Sequence, residues 1–231
     1  LIVPGAMVYR KLIEVTGAEM IWLPGVRLGD GIVAEYAEQK KLIRFTHDFS
    51  QDILVAARNI AKRYMSNKNH SAILEKNVLA IFDGVKKYHG LGKRERLLLQ
   101  ICAILHDCGK YISIRTPGEC AYNIIMSTEI IGISHREREI IANVVKYNTM
   151  EFDYTAASYT LTKEMRIIIA KLTAILKVAN AMDRSHKQKF KNVRVSVKDQ
   201  QMFLTTDSDE NIMLEESQFR QKADFFEEVY G

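Results

Sequence analysis

The stretch Ile101-Cys102-Ala103-Ile104-Leu105-His106-Asp107-Cys108-Gly109-Lys110-Tyr111-Ile112-Ser113 is the feature around which the rest of the sequence is arranged. An apolar run with helical character leads directly into the pair His106-Asp107, which Gly109 and Lys110 follow. Burying an imidazole or a carboxylate is costly unless the group is paired, hydrogen-bonded or bound to a metal ion. The pattern therefore predicts that other segments of the chain supply partners for this pair.

Length and composition indicate a globular protein with one large or two smaller domains. The chain has 231 residues, of which 47% are hydrophobic and 26% are charged, as is usual for such proteins. No run of about 18 apolar residues is present, so no transmembrane helix and no membrane partner are predicted. The formal net charge of +5 favours polyanionic partners, although a solvated basic surface explains it equally well.

The cysteines and the first residues bear on the location of the protein. Cys102, Cys108 and Cys120 are an odd number without CxxC spacing. They favour a reducing, cytoplasmic setting over a disulfide framework. The opening Leu1–Gly5 lacks the features of a signal peptide. Because it begins within an apolar phrase, we expect the sequence to be a piece of a longer chain.

The first 41 residues differ in pattern from the rest. Pro4-Gly5 is a turn signal, and residues 6–16 have apolar side chains at helical spacing. Residues 19–24 predict a short strand closed by proline. A glycine-flanked turn over residues 28–32 and a helix over residues 32–41 follow. This β/α fragment is too short to form a core of its own.

From residue 48 onward the apolar spacing predicts a helical domain. The predicted helices lie near residues 48–64, 71–88, 93–108, 117–125, 136–147, 162–185 and 215–230. Ser134 with Glu137 forms a capping box, and Thr162 is a predicted N-cap. Alternation over Val193–Val197, followed by Met202–Thr206, predicts a β-hairpin.

Two histidines and two acids form a candidate metal site. His106 and Asp107 close the third helix of this domain, and His70 lies at the start of the second. Asp183 lies late in the long helix, one turn after Asn180. Imidazole with carboxylate suits iron, manganese or zinc, which would activate water and polarise a phosphoryl oxygen. The alternative is a buried His-Asp hydrogen bond without metal.

Basic residues are candidates for a phosphate-binding surface. They are Lys110, Arg115, Lys146, Arg184, Lys187, Lys189 and Lys191. The cluster Arg184–Lys191 follows a predicted helix C-terminus, where cations also favour the helix dipole, so a structural role is the alternative. The spacing of Gly29 and Gly31 excludes a Walker A loop. No nucleophile arrangement of the Ser/His/Asp or Cys/His type is indicated.

Several phrases of the sequence, in order, resemble the C-terminal half of the exopolyphosphatase / guanosine pentaphosphate phosphatase (Ppx/GppA) family. Leu105–Ser113 resembles the family phrase Leu-His-Asp-Ile-Gly-x-x-Ile-Ser. Lys177–His186 resembles Arg-Val-Ala-Asp-Ala-Leu-Asp-Arg-Ser-His, and Phe225–Gly231 resembles the C-terminal end. Leu1–Gly5 and Leu28–Ile32 are similar to the closing segments of the family's actin-like phosphatase domains.

The resemblance implies a mainly α fold: an HD-domain-like helical bundle with a small C-terminal β-hairpin, preceded by a short β/α remnant. Residues 1–41 would be the remnant of the actin-like (ribonuclease H-like) phosphatase domain, and residues 42–231 the HD-type domain with its hairpin and terminal helix. Family members remove terminal phosphate from polyphosphate or guanosine pentaphosphate, using magnesium between two actin-like domains. Because that cleft is not in this sequence, the fragment alone is expected to be inactive.

The resemblance also bears on the candidate metal site. HD-domain phosphohydrolases use a His, a His-Asp pair and a final Asp, and His70, His106 and Asp107 match the first three. Asn180 occupies the usual position of the final Asp, and Asp183 would substitute for it from one turn later.

Two further positions depart from the family pattern. Cys120-Ala121 stands where members often have His-Ser, and Tyr147-Asn148 stands where they have Tyr-His. We therefore expect a degenerate HD domain, whose role depends more on basic residues than on a bound metal.

The leading hypothesis is the C-terminal module of an exopolyphosphatase-like phosphohydrolase. It would bind polyphosphate or a phosphorylated guanosine nucleotide and support assembly as a homodimer, with no specific nucleic-acid partner. One alternative is an autonomous HD-domain metal-dependent phosphohydrolase in which His70, His106, Asp107 and Asp183 hold a divalent transition metal. The other is a non-catalytic structural or dimerisation domain.

Overall fold

The computed structural model describes residues 2–22, 25, 27–44, 48–154, 161–190 and 192–231. The chain divides into two compact units, Leu1–Asp48 and Phe49–Gly231. All buried apolar side chains of the described residues belong to the second unit. Within the described ranges, no helix combines the length and the apolar character needed to cross a bilayer.

The first unit contains the helices α1 (Ile2–Thr16) and α2 (Leu28–Gln39). The turn predicted at Pro4-Gly5 is wrong, because these residues lie inside the first turn of α1. Proline is tolerated there, since its missing N–H has no partner in the helix anyway.

Two other predictions for the first unit also differ from the structure. The turn predicted over residues 28–32 is wrong, because the chain is already helical from Leu28. The carboxylate of Asp30 accepts the backbone N–H of Arg27 at 2.8 Å and so caps α2. No strand forms over residues 19–22. Leu23 and Pro24, the end of the predicted strand, lie outside the described residues.

The second unit is mainly helical, as the sequence predicts. Its helices are α3 (Phe49–Arg63), α4 (Lys68–Gly84), α5 (Lys86–His89), α6 (Lys93–Leu105), α7 (Pro117–Ser127), α8 (His135–Thr149), α9 (Lys163–Ala181) and α10 (Met213–Tyr230). A 3-10 helix, Cys108–Tyr111, follows α6. The strands β1 (Arg194–Lys198) and β2 (Gln201–Thr205) lie between α9 and α10.

Helix α6 is the centre of the core. Leu99, Ile101 and Leu105 are completely buried, and α6 packs against α3, α4, α8 and α9. A helix that is apolar on all sides is stable only when other elements surround it. The C-terminal end of α6, where His106 follows, therefore lies inside the protein.

Two helix starts have the side-chain caps that the sequence predicts, and a third is capped by a residue that it does not predict. Ser134 accepts the N–H of Glu137 and completes a capping box at the start of α8. Thr162 accepts the N–H of Met165 at the start of α9. At the start of α4, the side chain of Asn67 accepts backbone N–H groups of the first turn. These caps satisfy donors that the helices leave unpaired.

The predicted hairpin is present and packs on α4. The strands are antiparallel, with Val195 opposite Leu204. Asp199 and Gln200 form the two-residue turn with φ of 49° and 60°, as tight hairpin turns require. A Cβ at Gly84 would lie 2.5 Å from the side chain of Val195. The glycine therefore lets β1 approach α4 closely.

An ion pair joins the start of α6 to the start of α8. Arg94 donates to Glu137 at 3.0 Å and to the carbonyl oxygen of Gly132 at 2.6 Å. Glu137 also accepts the backbone N–H of Ser134 at 2.8 Å. Burial by itself would raise the pKa of Glu137, but Arg94 and Ser134 outweigh it and lower the pKa to about 2.

We expect Glu137→Gln to lower the free energy of unfolding by about 2 kcal/mol at pH 7, because hydrogen bonds to a charged group are lost. The pKa of Glu137 in the folded protein lies below the ordinary glutamate value of 4.5. The stabilisation is therefore present above that value and is lost as the pH falls toward 2. Urea unfolding at pH 7 and about pH 3 measures the change, and the variant should differ less from the wild type at the lower pH.

Asp83→Asn is the matched control, since it removes an ion pair with Arg96 that is more exposed. If Glu137→Gln lowers the free energy of unfolding no more than Asp83→Asn does, the structural role of this ion pair is contradicted.

Candidate functional site

Three of the residues predicted to bind metal lie together where α4 and α6 meet. One side-chain ligand atom from each of His70, His106 and Asp107 lies within 4.8 Å of the others, and all three residues are buried. The two imidazole rings meet edge to face, with their centroids 4.9 Å apart. We call these three residues the histidine cluster. The packing of α4 on α6 brings the start of one helix to the end of the other.

His70 contacts Asn180 at the end of α9 and Asp183, which lies two residues beyond that helix and not within it as predicted. Its Nδ1 lies 2.7 Å from a carboxylate oxygen of Asp183, and its Nε2 lies 3.1 Å from the Asn180 amide oxygen. Burial alone would raise the pKa of Asp183, but the bonds from His70 and Gln188 outweigh it and lower the pKa. An ionised Asp183 can only accept, so Nδ1 donates. Asp183 therefore reaches the histidine cluster through His70 and orients its ring.

His106 has one nitrogen without a partner. Its Nδ1 donates to the carbonyl oxygen of Ala103 at 2.8 Å. Burial lowers the pKa of His106 to about 4, so the ring is neutral near pH 7. Its Nε2 is buried and has no hydrogen bond within the described part of the chain. Oδ1 of Asp107 lies 3.2 Å from Nε2, but both atoms carry lone pairs, and a cation between them would relieve the contact.

Asp107 connects the histidine cluster to solvent through Lys110. The ammonium of Lys110 lies 2.6 Å from Oδ1 of Asp107, and 44% of the lysine side chain is exposed. Burial by itself raises the pKa of Asp107, but His106 and Lys110 outweigh it and hold the pKa below its usual value. The 3-10 helix after α6 makes this contact possible by turning Lys110 back over Asp107.

His186 is a member of the site that reasoning from the sequence missed. Its ring stacks on the ring of His70, with centroids 3.9 Å apart and planes 6° apart. The amide of Asn67 lies 3.5 Å from its Nδ1. Burial and the neighbouring His70 lower the pKa of His186. The sequence signals were the place of His186 at the end of the phrase Lys177–His186 and its position between two basic residues. Neither signal predicts the contact, because stacking between residues distant in the sequence has no periodicity.

The predicted phosphate-binding residues divide into two groups. Lys110 lies on the histidine cluster, and Arg184 and Lys187 are exposed on either side of His186. Of the seven candidates, Lys110 therefore contacts the cluster itself, and Arg184 and Lys187 lie in the loop that contacts it through His186. Lys146 instead pairs with Glu119 of α7 at 2.9 Å.

Three other basic residues were candidates as well. Arg115 is exposed in the segment before α7. Lys189 pairs with a carboxylate of α10 and is largely buried. Lys191 lies outside the described residues.

The fold and the site together define a mainly helical domain with a buried histidine–carboxylate cluster beside a basic segment. The family model of the Ppx/GppA phosphatase, domain III, matches residues 54–223. The chain belongs to the Ppx/GppA phosphatase family, and the membership predicted from the sequence is confirmed. Phosphatases of this family are typically metal-dependent. A search of curated proteins found no match.

Gly109 sets the distance between the site and α7. A Cβ on this residue would lie 2.6 Å from the backbone nitrogen of Ala121 and would also meet the carbonyl oxygen of Pro117. Real Cβ atoms do not approach backbone so closely, and helix backbone cannot yield as a flexible side chain does. The glycine in the His-Asp-x-Gly phrase therefore allows the segment with Asp107 and Lys110 to pack against α7.

We expect Gly109→Ala to destabilise the protein by about 3 kcal/mol, because the added methyl group overpacks a rigid contact. The measurement is the urea midpoint of unfolding. Gly92→Ala is the control, since its methyl group would meet only the end of the Glu95 side chain at 3.2 Å. Equal midpoints for the two variants would show that α7 yields easily at this position.

Proposed function

We propose that residues 42–231 form the phosphate-recognition domain of a Ppx/GppA phosphatase and bind polyphosphate or a phosphorylated guanosine nucleotide. The observation that supports this proposal is the contact of two basic segments with the histidine cluster. Lys110 pairs with Asp107, and His186, which lies between Arg184 and Lys187, stacks on His70. These basic residues come from segments far apart in the sequence. Because Lys110 and the loop of residues 182–190 both contact the histidine cluster, a common ligand is favoured over a general basic surface.

The chemistry of the three cations suits a phosphate chain. Arg184 offers a planar guanidinium that binds phosphate oxygens in pairs, and Lys187 offers a compact charge. Within the described residues no acidic side chain pairs with either of them. Their charge is therefore free to act on a ligand, whereas the charge of Lys110 is partly neutralised by Asp107.

The proposal leaves the main hydrolytic reaction, with its magnesium, to the actin-like phosphatase domains that the family resemblance implies. Residues 1–41 are assigned in the same way to a remnant of such a domain. Homodimer formation and a cytoplasmic location stay predictions. The proposed role of residues 42–231 is to hold the anion, which needs cations on a rigid support rather than a reactive group.

We expect the double variant Arg184→Glu with Lys187→Glu to bind short-chain polyphosphate about tenfold more weakly or worse, because two attractions become repulsions. Isothermal titration calorimetry at low ionic strength measures the affinity. Raising the salt concentration should weaken the wild type more than the variant.

The matched control is Lys86→Glu with Lys87→Glu. It makes the same change of net charge on exposed residues of α5, beyond the far end of α4, about 25 Å of helix away from His70. An equal loss of polyphosphate affinity in both double variants would indicate general electrostatic attraction. An unchanged affinity in the variant of Arg184 and Lys187 would show that these residues do not bind the ligand.

The second candidate function is that of an HD-type metal-dependent phosphohydrolase. The unpartnered Nε2 of His106, facing a carboxylate oxygen 3.2 Å away, favours it. His106, Asp107 and His70 would hold a divalent transition metal, with Asp183 as a ligand or as the group that orients His70. When bound, such an ion supplies an activated water and polarises a phosphoryl oxygen. The residues present suit a divalent metal ion except at Asn180, where an amide and not a carboxylate faces His70.

We expect Asn180→Asp to raise the affinity for manganese or zinc about tenfold, because it places a carboxylate where an amide now lies 3.1 Å from Nε2 of His70. His106→Ala should lower the affinity by a similar factor. Elemental analysis of protein purified without added metal gives the content, and titration with each ion gives the affinity.

Asn180→Ala serves as the control, since it removes the amide without adding a charge. Metal below about a tenth of an equivalent in the wild type and in Asn180→Asp alike would contradict the metal site.

A further inference from the structure

The loop of residues 182–190, which follows α9, carries His186 in a strained conformation. His186 and Gln188 both have positive φ, 55° and 52°. Residues other than glycine seldom adopt this left-handed region, and they remain there only where surrounding contacts hold them. The stacking of His186 on His70 therefore depends on the groups that hold this loop.

One set of contacts holds the loop from the inside. Oδ1 of Asp183 accepts the backbone N–H of Gln188 at 2.7 Å, while its other oxygen faces His70. The side chain of Gln188 donates to the carbonyl oxygen of His186. These bonds close the loop on itself, but they do not bind it to another element beyond His70.

A second set of contacts holds the loop from α10. Glu215, in the first turn of that helix, is 1% exposed. One of its oxygens accepts the backbone N–H of Ser185 at 3.2 Å, and the other lies 2.9 Å from the ammonium of Lys189. Lys189 also donates to the carbonyl oxygen of Asn211 at 2.6 Å. Glu215 thus binds the loop immediately before His186 and again three residues after it.

We propose that Glu215 is a positioning residue for the site. By binding Ser185 and Lys189 it fixes the ring of His186 over His70, and it thereby makes α10 part of the ligand-binding site. The effect on ligand affinity rests on the proposed phosphate-binding function, whereas the effect on the ring position does not. A ligand that binds the stacked arrangement should in turn stabilise the contacts of α10, because coupling between sites is reciprocal.

The first test compares Glu215→Gln with Glu216→Gln by NMR of the histidine ring protons. Glutamine keeps the size of the side chain and one acceptor oxygen but loses the charge that pairs with Lys189. Glu216 is on the same helical turn, is exposed, and pairs with Arg220 of its own helix. We expect the ring signals of His186 and His70 to move in Glu215→Gln, as the ring-current shift of stacking is lost, and to stay unchanged in Glu216→Gln.

The second test measures the affinity of the same variants for short-chain polyphosphate by calorimetry. Glu215→Gln should bind about fivefold more weakly or worse than the wild type, and Glu216→Gln should bind as the wild type does. Lys189→Gln removes the other half of the ion pair and leaves Glu215 bound to Ser185. We expect Lys189→Gln to move the ring signals of His186 and His70 as well. This variant tests the positioning role if Glu215→Gln does not fold.

The outcomes separate the two proposals. Ring signals in the Glu215 and Lys189 variants that match those of Glu216→Gln would overturn the positioning role, whatever happens to the affinity. If the ring signals move in the variants but the wild-type protein binds no polyphosphate, the positioning role is supported and the phosphate-binding function is contradicted. Displaced rings together with the weaker binding support both.

Discussion

The hydrogen bond between His70 and Asp183 is the interaction on which the rest of the site depends. It joins the first turn of α4 to the loop after α9 across 2.7 Å, between side chains that are 1% and 2% exposed. Such a pair is costly to bury unless its other polar atoms are also bound. Gln188 binds the second oxygen of Asp183, and Asn180 faces the second nitrogen of His70. The helix ends and the loop are therefore held in one arrangement.

The charges of the site change from the interior to the surface. The innermost group, His106, is neutral near pH 7 because burial lowers its pKa to about 4. Asp107 and Lys110 form an ion pair at the boundary, and Arg184 and Lys187 are exposed in the loop that carries His186. The interior has the lone pairs that a cation needs, and the exterior has the charges that an anion needs. The two proposed functions would therefore depend on different residues of this region.

Sequence patterns were reliable where a local rule decides the structure. Apolar periodicity located the helices of the second unit, and Ser134 and Thr162 capped the helices they were predicted to cap. The rules failed at Pro4-Gly5 and at residues 28–32, because proline and glycine there occupy first helical turns rather than turns of the chain. Proline and glycine indicate that a helix start is near. They do not show whether they lie before the helix or within its first turn.

The sequence by itself determined that an apolar helix ends in His106-Asp107, that a hairpin precedes a terminal helix, and that the chain belongs to the Ppx/GppA phosphatase family. Only the tertiary structure decided that Asp183 orients His70, that His186 stacks on it, and that α10 holds the loop. The reason is physical: these contacts join residues far apart in the sequence, such as His70 and Asp183, which are 113 residues apart. They depend on how helices cross, which local spacing does not encode.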